Sequence, residues 1–277
     1  MSLHPFLREA PAGGLGAASA VTCWRLLASP PATGAENMAL DHALMERARA
    51  SGDILVRVYA WSRMTLSLGR HQTARGRYDR DAARARGVHF VRRPTGGRAV
   101  LHHREITYCV AAPERTLGAL RESYRRINRL LVAALRRLGE PAEEVRAVGP
   151  APQPSVAPCF EEPVAGEIVA NGRKLVGSAQ WRDRGALLQH GSILVDDDQS
   201  LASRLLLPPG AAPPPPATLR DLLGRAPTVG EVASALGHAL ADTEQVTPLI
   251  METDPALSSA ARALTAHYES DAWTWRR

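Results

Sequence analysis

Between Pro158 and Asp196 the chain carries two side chains whose types suit covalent catalysis, the thiol of Cys159 and the amine of Lys174. A free cysteine has a pKa of about 8.5 and is mostly protonated at neutral pH. A neighbouring ammonium favours the thiolate, and each pKa unit of depression is worth about 1.4 kcal/mol. No Cys-His-Asn series is evident from local spacing, which leaves Lys174 as the candidate partner in this stretch. The other reading is that Cys159 is a small buried residue and Lys174 a solvated surface charge. Pro158 and Pro163 argue against a core strand for Cys159 and favour a loop, where reactive groups concentrate.

The elements around this pair read as a meander. Glu167 to Ala170 is strand-like, and Asn171-Gly172 is a strong hairpin signal because both residues tolerate the positive φ of a type I′ turn. A second strand carries Lys174. The small run Gly177-Ser178-Ala179 implies close approach of another group to the backbone. Arg184-Gly185 suggests a further turn, and Ala186 to Val195 a third strand.

The 277-residue length fits one or two domains, and 45% hydrophobic content is enough for a sizeable core. Residues 1–20, rich in Gly, Ala and Pro, are expected to form a flexible arm, with 21–277 a single domain whose core runs over about 36–250. Net charge is +6, mostly from scattered arginines; this suits acidic partners such as carrier proteins as well as it suits nucleic acid, or carries no partner meaning. Cys23, Cys109 and Cys159 form no Cys-x-x-Cys pair, which argues against zinc and a disulfide framework and fits a reducing cytosol. No apolar run approaches the ~20 residues of a membrane helix, and the start lacks a signal-peptide pattern.

Elsewhere, Thr22 to Leu27 reads as an edge strand and Glu36 to Ala50 as a helix. Ile54 to Trp61, Thr65 to Gly69, Val88 to Arg92 and Glu105 to Val110 read as strands, with Thr107 and Cys109 on one face of the last. Helices are expected over Arg75 to Arg86, Leu117 to Leu138, Leu201 to Leu207, Thr228 to Thr243 and Asp254 to Ser270, with Thr228 and Asp254 as N-caps. Pro208 to Pro216 is a solvated loop, and Trp273 and Trp275 anchor the tail. The order implies an α+β fold with mixed or antiparallel sheets flanked by helices.

The loop Arg92-Arg93-Pro94-Thr95-Gly96-Gly97-Arg98 joins bases to a backbone that a ligand can touch. It suits a carbonyl oxyanion or a phosphate; alternatively it is a hairpin turn with solvated arginines.

Taken in order, Asn37-Met38-Ala39-Leu40-Asp41, Tyr59-x-Trp61, Leu68-Gly69-Arg70-x-Gln72, the block from Arg92 through Thr95-Gly96-Gly97-Arg98-Ala99-Val100-Leu101-His102, and Glu105-Ile106-Thr107-Tyr108 resemble the biotin/lipoate protein ligase and octanoyltransferase superfamily. Lys174-x-x-Gly177-Ser178-Ala179-Gln180, Gln189-His190-Gly191-Ser192 and Tyr268…Trp273 continue the match. ATP-dependent ligases of that superfamily usually carry a third loop glycine where Arg98 stands, and the cysteine-dependent octanoyltransferases are more similar. The family's aromatic pair before the glutamate is replaced by Ala165-Gly166, and the aspartate after the loop histidine by His103; either change would alter partner or acyl preference.

The resemblance implies a class II biotin/lipoate ligase-like catalytic domain with no cofactor and no metal. An octanoyl group would pass from octanoyl-acyl carrier protein to Cys159, with Lys174 lowering its pKa. It would then pass to the lysine of a lipoyl domain, such as a glycine cleavage H protein or a 2-oxoacid dehydrogenase subunit. Arg93, Thr95, Gly96, Gly97, Arg98, Ala99 and His102 would hold one side of the substrate, and Gly177, Ser178, Ala179, His190 and Gly191 the other. The rival readings are an ATP-dependent lipoate ligase, an amidotransferase, and a non-enzymatic acyl-binding protein. No nucleic-acid or membrane partner is expected, and the location is expected to be cytoplasmic.

Overall fold

The computed structural model describes residues 22–139, 142–144 and 167–277. The chain order is β1 (Trp24–Ala28), α1 (Gly34–Ser51), β2 (Ile54–Tyr59), β3 (Thr65–Leu68), α2 (Arg80–Ala85), β4 (His89–Arg92), β5 (Val100–His102), β6 (Glu105–Pro113), α3 (Leu120–Arg137) and β7 (Glu143–Glu144). It continues with β8 (Ile168–Ala170), β9 (Arg173–Asp183), β10 (Ala186–Leu194), α4 (Ser200–Arg204), α5 (Leu219–Leu223), α6 (Val229–Glu244), β11 (Leu249–Ile250), α7 (Pro255–Glu269) and α8 (Asp271–Thr274).

Local chemistry sets the boundaries. Thr33 caps α1 and forms a capping box with Glu36, while Gly52 closes the helix in the left-handed region. Thr228 and Glu231 repeat the box on α6, and Asp254 caps α7 just ahead of Pro255 at the first turn. Each cap is worth about 1 kcal/mol. Asn171 and Gly172 have φ of 50° and 71°, as a type I′ turn requires, and join β8 to β9. Arg184 and Gly185, at 46° and 80°, do the same between β9 and β10.

The strands form a large sheet ordered β11-β1-β2-β6-β10-β9-β8-β7 and a small one ordered β4-β3-β5. Pairing is parallel for β1 with β2 and β11, and antiparallel from β2 through to β7. Alternation along each strand covers both faces of the large sheet. Ile106, Tyr108 and Val110 of β6 pack under α3 and α6 with Ile127, Leu131, Leu236 and Leu240. Cys109 and Ala111 face the other way, onto Met38, Leu44 and Met45 of α1 and Leu257 and Tyr268 of α7. The small sheet has its own core, in which Leu66, Leu68 and Leu101 meet Tyr78, Leu205 and Trp275. The fold is therefore α+β with mixed sheets between helices.

Several boundaries differ from expectation. The first strand is not at an edge, because the two-residue β11 pairs along its outer side. The helix expected over Arg75–Arg86 is only α2: Gly76 takes φ of 68°, and the Ala74 and Arg75 amides donate to the carbonyl of Arg277. The long helix starts at Leu120 rather than Leu117, behind Gly118 at φ of 86°. The segment after Leu207 is largely exposed, as expected, but Leu219–Leu223 adds a helix that periodicity did not reveal. Trp275 is buried and the Trp273 indole donates to the Arg92 carbonyl at 2.8 Å, so both tryptophans anchor the tail. The expected N-terminal arm lies outside the described residues.

Candidate active site

The two sheets meet around a narrow cavity with about 40 Å³ of water-accessible space. One side is built by β3, β5 and the glycine loop, with Ser67, Arg93, Gly97, Val100 and His102. The other is built by β9 and β10, with Gly177, Ser178, Ala179, His190, Gly191 and Ser192. Met38, Tyr59, Trp61 and Thr107 complete the lining. Close backbone approach makes this possible. A Cβ on Gly191 would lie 2.4 Å from the Gly177 carbonyl oxygen, and one on Gly69 would lie 1.9 Å from that of Gly97.

Eight of the twelve residues expected to hold substrate line this cavity: Arg93, Gly97, His102, Gly177, Ser178, Ala179, His190 and Gly191. Thr95 stands behind the wall on His190, and Ala99 turns into the core of the small sheet. Gly96 and Arg98 contribute carbonyls to the loop's internal bonding.

Arg92 and Arg93 are neither solvated nor turned out to a ligand. The Arg93 guanidinium donates to the carbonyls of Gly96, Arg98 and Ser67 at 2.6–3.1 Å, and to Ser67 Oγ at 3.0 Å. Arg92 donates to the carbonyls of Gly69, Gln72 and Thr274 at 2.6–2.8 Å. Burial, with Arg276, Arg277 and Arg93 nearby, pulls the Arg92 pKa down to about 10. A five-donor planar fork is well suited to gathering carbonyls, and here it stiffens the loop.

Two histidines face each other across the cavity, each fixed by a carboxylate. His190 places Nδ1 2.9 Å from Asp41 Oδ2 and Nε2 2.7 Å from Thr95 Oγ1. Asp41 also accepts from Tyr59 OH and from Arg57, each at 2.7 Å. Arg57 in turn donates to Asn37 Oδ1 and Ser29 Oγ at 2.8 Å. Burial acts to raise the Asp41 pKa, but hydrogen bonds from His190 and Tyr59 and the Arg57 charge outweigh it and hold the carboxyl below its ordinary value. His102 places Nδ1 3.0 Å from Glu105 Oε1 and Nε2 2.7 Å from Ser67 Oγ. Its ring stacks on Trp61 at 3.9 Å, and burial lowers its pKa against the opposing pull of Glu105. Asn37, Asp41, Arg57, Ser67 and Glu105 had no assigned role in the sequence reading. The four-residue spacing of Asn37 and Asp41 on α1 was the available signal.

Lys174 is buried at 3% exposure on β9, three residues before the cavity wall begins, and its ammonium is paired with Glu167. It is not a solvated surface charge. It is also the single lysine among 34 basic residues. A chain that otherwise uses arginine places here a compact amine that adapts its protonation to its surroundings. Cys159 lies outside the described residues. Cys109 is buried and its thiol is pushed well up by that burial, as befits a packing residue.

Residues 33–241 match the model of the lipoyl protein ligase A/B catalytic domain. The chain belongs to that family. Its enzymes include the octanoyltransferase LipM of Kyrpidia tusciae, 40% identical over 92% of this chain and 99% of that protein. The octanoyltransferase LipM of Symbiobacterium thermophilum is 38% identical over the same shares. Among solved structures, a lipoate-protein ligase A bound with ATP superimposes with a TM-score of 0.76 at 24% identity, over 92% of this chain and 99% of that one. A bi-partite lipoate protein ligase from Thermoplasma acidophilum gives 0.71 at 22%, over 92% and 96%. At such identities the structures show a shared fold. As a member of the lipoyl ligase family with octanoyltransferase relatives across its length, the chain is an acyltransferase.

Proposed function

We propose that the chain transfers an octanoyl group from octanoyl-acyl carrier protein, through a thioester on Cys159, to the target lysine of a lipoyl domain, either a glycine cleavage H protein or a 2-oxoacid dehydrogenase subunit. The observation that carries this reading is Lys174, the chain's single lysine, buried on the strand that builds one cavity wall. In the first step the Cys159 sulfur bonds to the acyl carbonyl carbon, the donor's C–S bond breaks, and the carrier thiol leaves with the proton. In the second the acceptor amine attacks the thioester, its proton is lost, and Cys159 is regenerated. An ammonium beside the thiol stabilises the thiolate form in both steps. The donor is already activated, so the sequence needs no nucleotide.

The glycine loop supports a transferase over an ATP-dependent ligase. Arg92 and Arg93, two of the loop's three arginines, are bonded to backbone carbonyls rather than held for a polyphosphate. Intact-protein mass spectrometry tests the reading, with octanoyl-carrier protein and no ATP, on wild type and Cys159→Ala. An octanoyl adduct on wild type only, discharged by an apo lipoyl domain, is expected. Acylation of the lipoyl domain that requires free octanoate and ATP, and survives Cys159→Ala, would replace the transferase with a ligase.

A further inference from the structure

We propose that Ser67, His102 and Glu105 form a second acyl-accepting centre in the same cavity, one that hydrolyses medium-chain acyl thioesters and esters. The proposal rests on the reading of the cavity as an acyl site, but not on Cys159.

The geometry is that of a nucleophile, a base and an orienting acid. Ser67 Oγ lies 2.7 Å from His102 Nε2, and His102 Nδ1 lies 3.0 Å from Glu105 Oε1. A carboxylate only accepts, so Nδ1 carries the proton and Nε2 is left to accept from the serine hydroxyl. Ser192 Oγ, 3.2 Å from the same Nδ1, accepts there too. Glu105 is itself held, since Thr107 Oγ1 donates to Oε1 at 2.7 Å and the Trp61 indole donates to Thr107 Oγ1 at 2.8 Å. Trp61 stacks on the imidazole and prevents it from turning. Such an arrangement is recognised by geometry and roles rather than by sequence order.

The opposite histidine has a similar pattern, Thr95–His190–Asp41, yet differs in two respects. Thr95 does not line the cavity, whereas Ser67 and His102 both do. The Asp41 charge is already neutralised by Arg57, whereas Glu105 is in no ion pair with an arginine or lysine among the described residues. The Glu105 charge therefore remains to stabilise an imidazolium. Arg93 Nη1, 3.0 Å from Ser67 Oγ, sets a cation beside the oxygen that attacks.

In the reaction, Ser67 Oγ bonds to the acyl carbonyl carbon and its proton moves to His102 Nε2. The carbonyl–sulfur (or ester carbon–oxygen) bond breaks, and the leaving thiol or alcohol takes that proton. Water then attacks the acyl-serine, giving a proton to Nε2 that returns to Ser67 Oγ as the ester bond breaks. The sum is thioester plus water to carboxylic acid plus thiol.

The test uses the full chain carrying Cys159→Ala, with octanoyl-N-acetylcysteamine and p-nitrophenyl octanoate as probes. Octanoate release above the buffer blank is expected from this variant. Adding Ser67→Ala should lower it about 100-fold or more, with an unchanged thermal melt. Adding Ser67→Cys should accumulate an octanoyl adduct that neutral hydroxylamine removes, a result a merely structural serine would not give. Release no faster than the blank, or equal rates with and without Ser67, would overturn the proposal. Transfer to a lipoyl domain by wild type is read separately, so failure of the proposed function and failure of this centre are distinguishable.

Discussion

Asp41 of α1 and His190 of β10, 149 residues apart, meet at 2.9 Å in the buried interior, and through Thr95 they tie the first helix to the glycine loop. The carboxylate also neutralises the buried Arg57. Replacing Asp41 with Asn leaves that guanidinium without its counter-charge, which costs about 3–5 kcal/mol for a buried pair. Chemical denaturation should show that loss, while Thr95→Val should cost only about 1 kcal/mol. Both should slow acyl transfer, because both release the loop.

Two titrations should appear in separate pH windows. His42, packed against Trp181 and Tyr268, has its pKa lowered to about 4 by burial first and then by His267. The unfolded histidine takes its proton near pH 6.5, so the unfolded state binds more protons below that value. Stability is fully present above about pH 6.5 and is lost as pH falls toward 4, by at most about 2–3 kcal/mol once partial exposure is allowed for. Denaturant midpoints should fall over this window in wild type and fall less steeply in His42→Gln, the remaining slope coming from His102 and His267, whose pKa values burial also lowers.

Asp41 acts lower on the scale. Its folded pKa is depressed, so its contribution is present above the ordinary carboxylate value near 3.9 and lost as pH falls through the folded one. Acid unfolding below about pH 4 should be shallower in Asp41→Asn than in wild type.

Gly191→Ala should be costly although alanine is small. Its Cβ would meet the Gly177 carbonyl oxygen at 2.4 Å and Tyr108 Cε1 at 2.8 Å, and the first of these is backbone that cannot step aside. A destabilisation of about 1–3 kcal/mol is expected, with a larger proportional fall in transfer, since β9 and β10 together form the cavity wall.

Lys174→Met should leave Glu167 buried without its ammonium and lower the melting temperature. Adding Glu167→Leu should recover much of that stability, because a buried pair can be replaced by apolar residues at little cost. Octanoyl-adduct formation should not recover, which separates the structural role of Lys174 from its chemical one.

Local chemistry was legible in the sequence by itself. Asn171-Gly172 and Arg184-Gly185 announced their turns, Thr228 and Asp254 their helices, and the ordered motifs the family and its fold. The run Gly177-Ser178-Ala179 signalled close approach, and Gly191 is what approaches. These features depend on neighbours within a few residues, where backbone conformation and side-chain type decide the outcome. What the arginines of the glycine loop bind was decided only by the fold, because carbonyls from β3, the loop and the tail converge on them from up to 182 residues away. So were the partners of Asp41, His190, Ser67 and His102. Strand alternation tells which face a side chain occupies, but which residue it meets depends on sheet register and on the packing of the two sheets against each other. A side chain's chemistry can therefore be read along the chain, while its partner is a property of the tertiary fold.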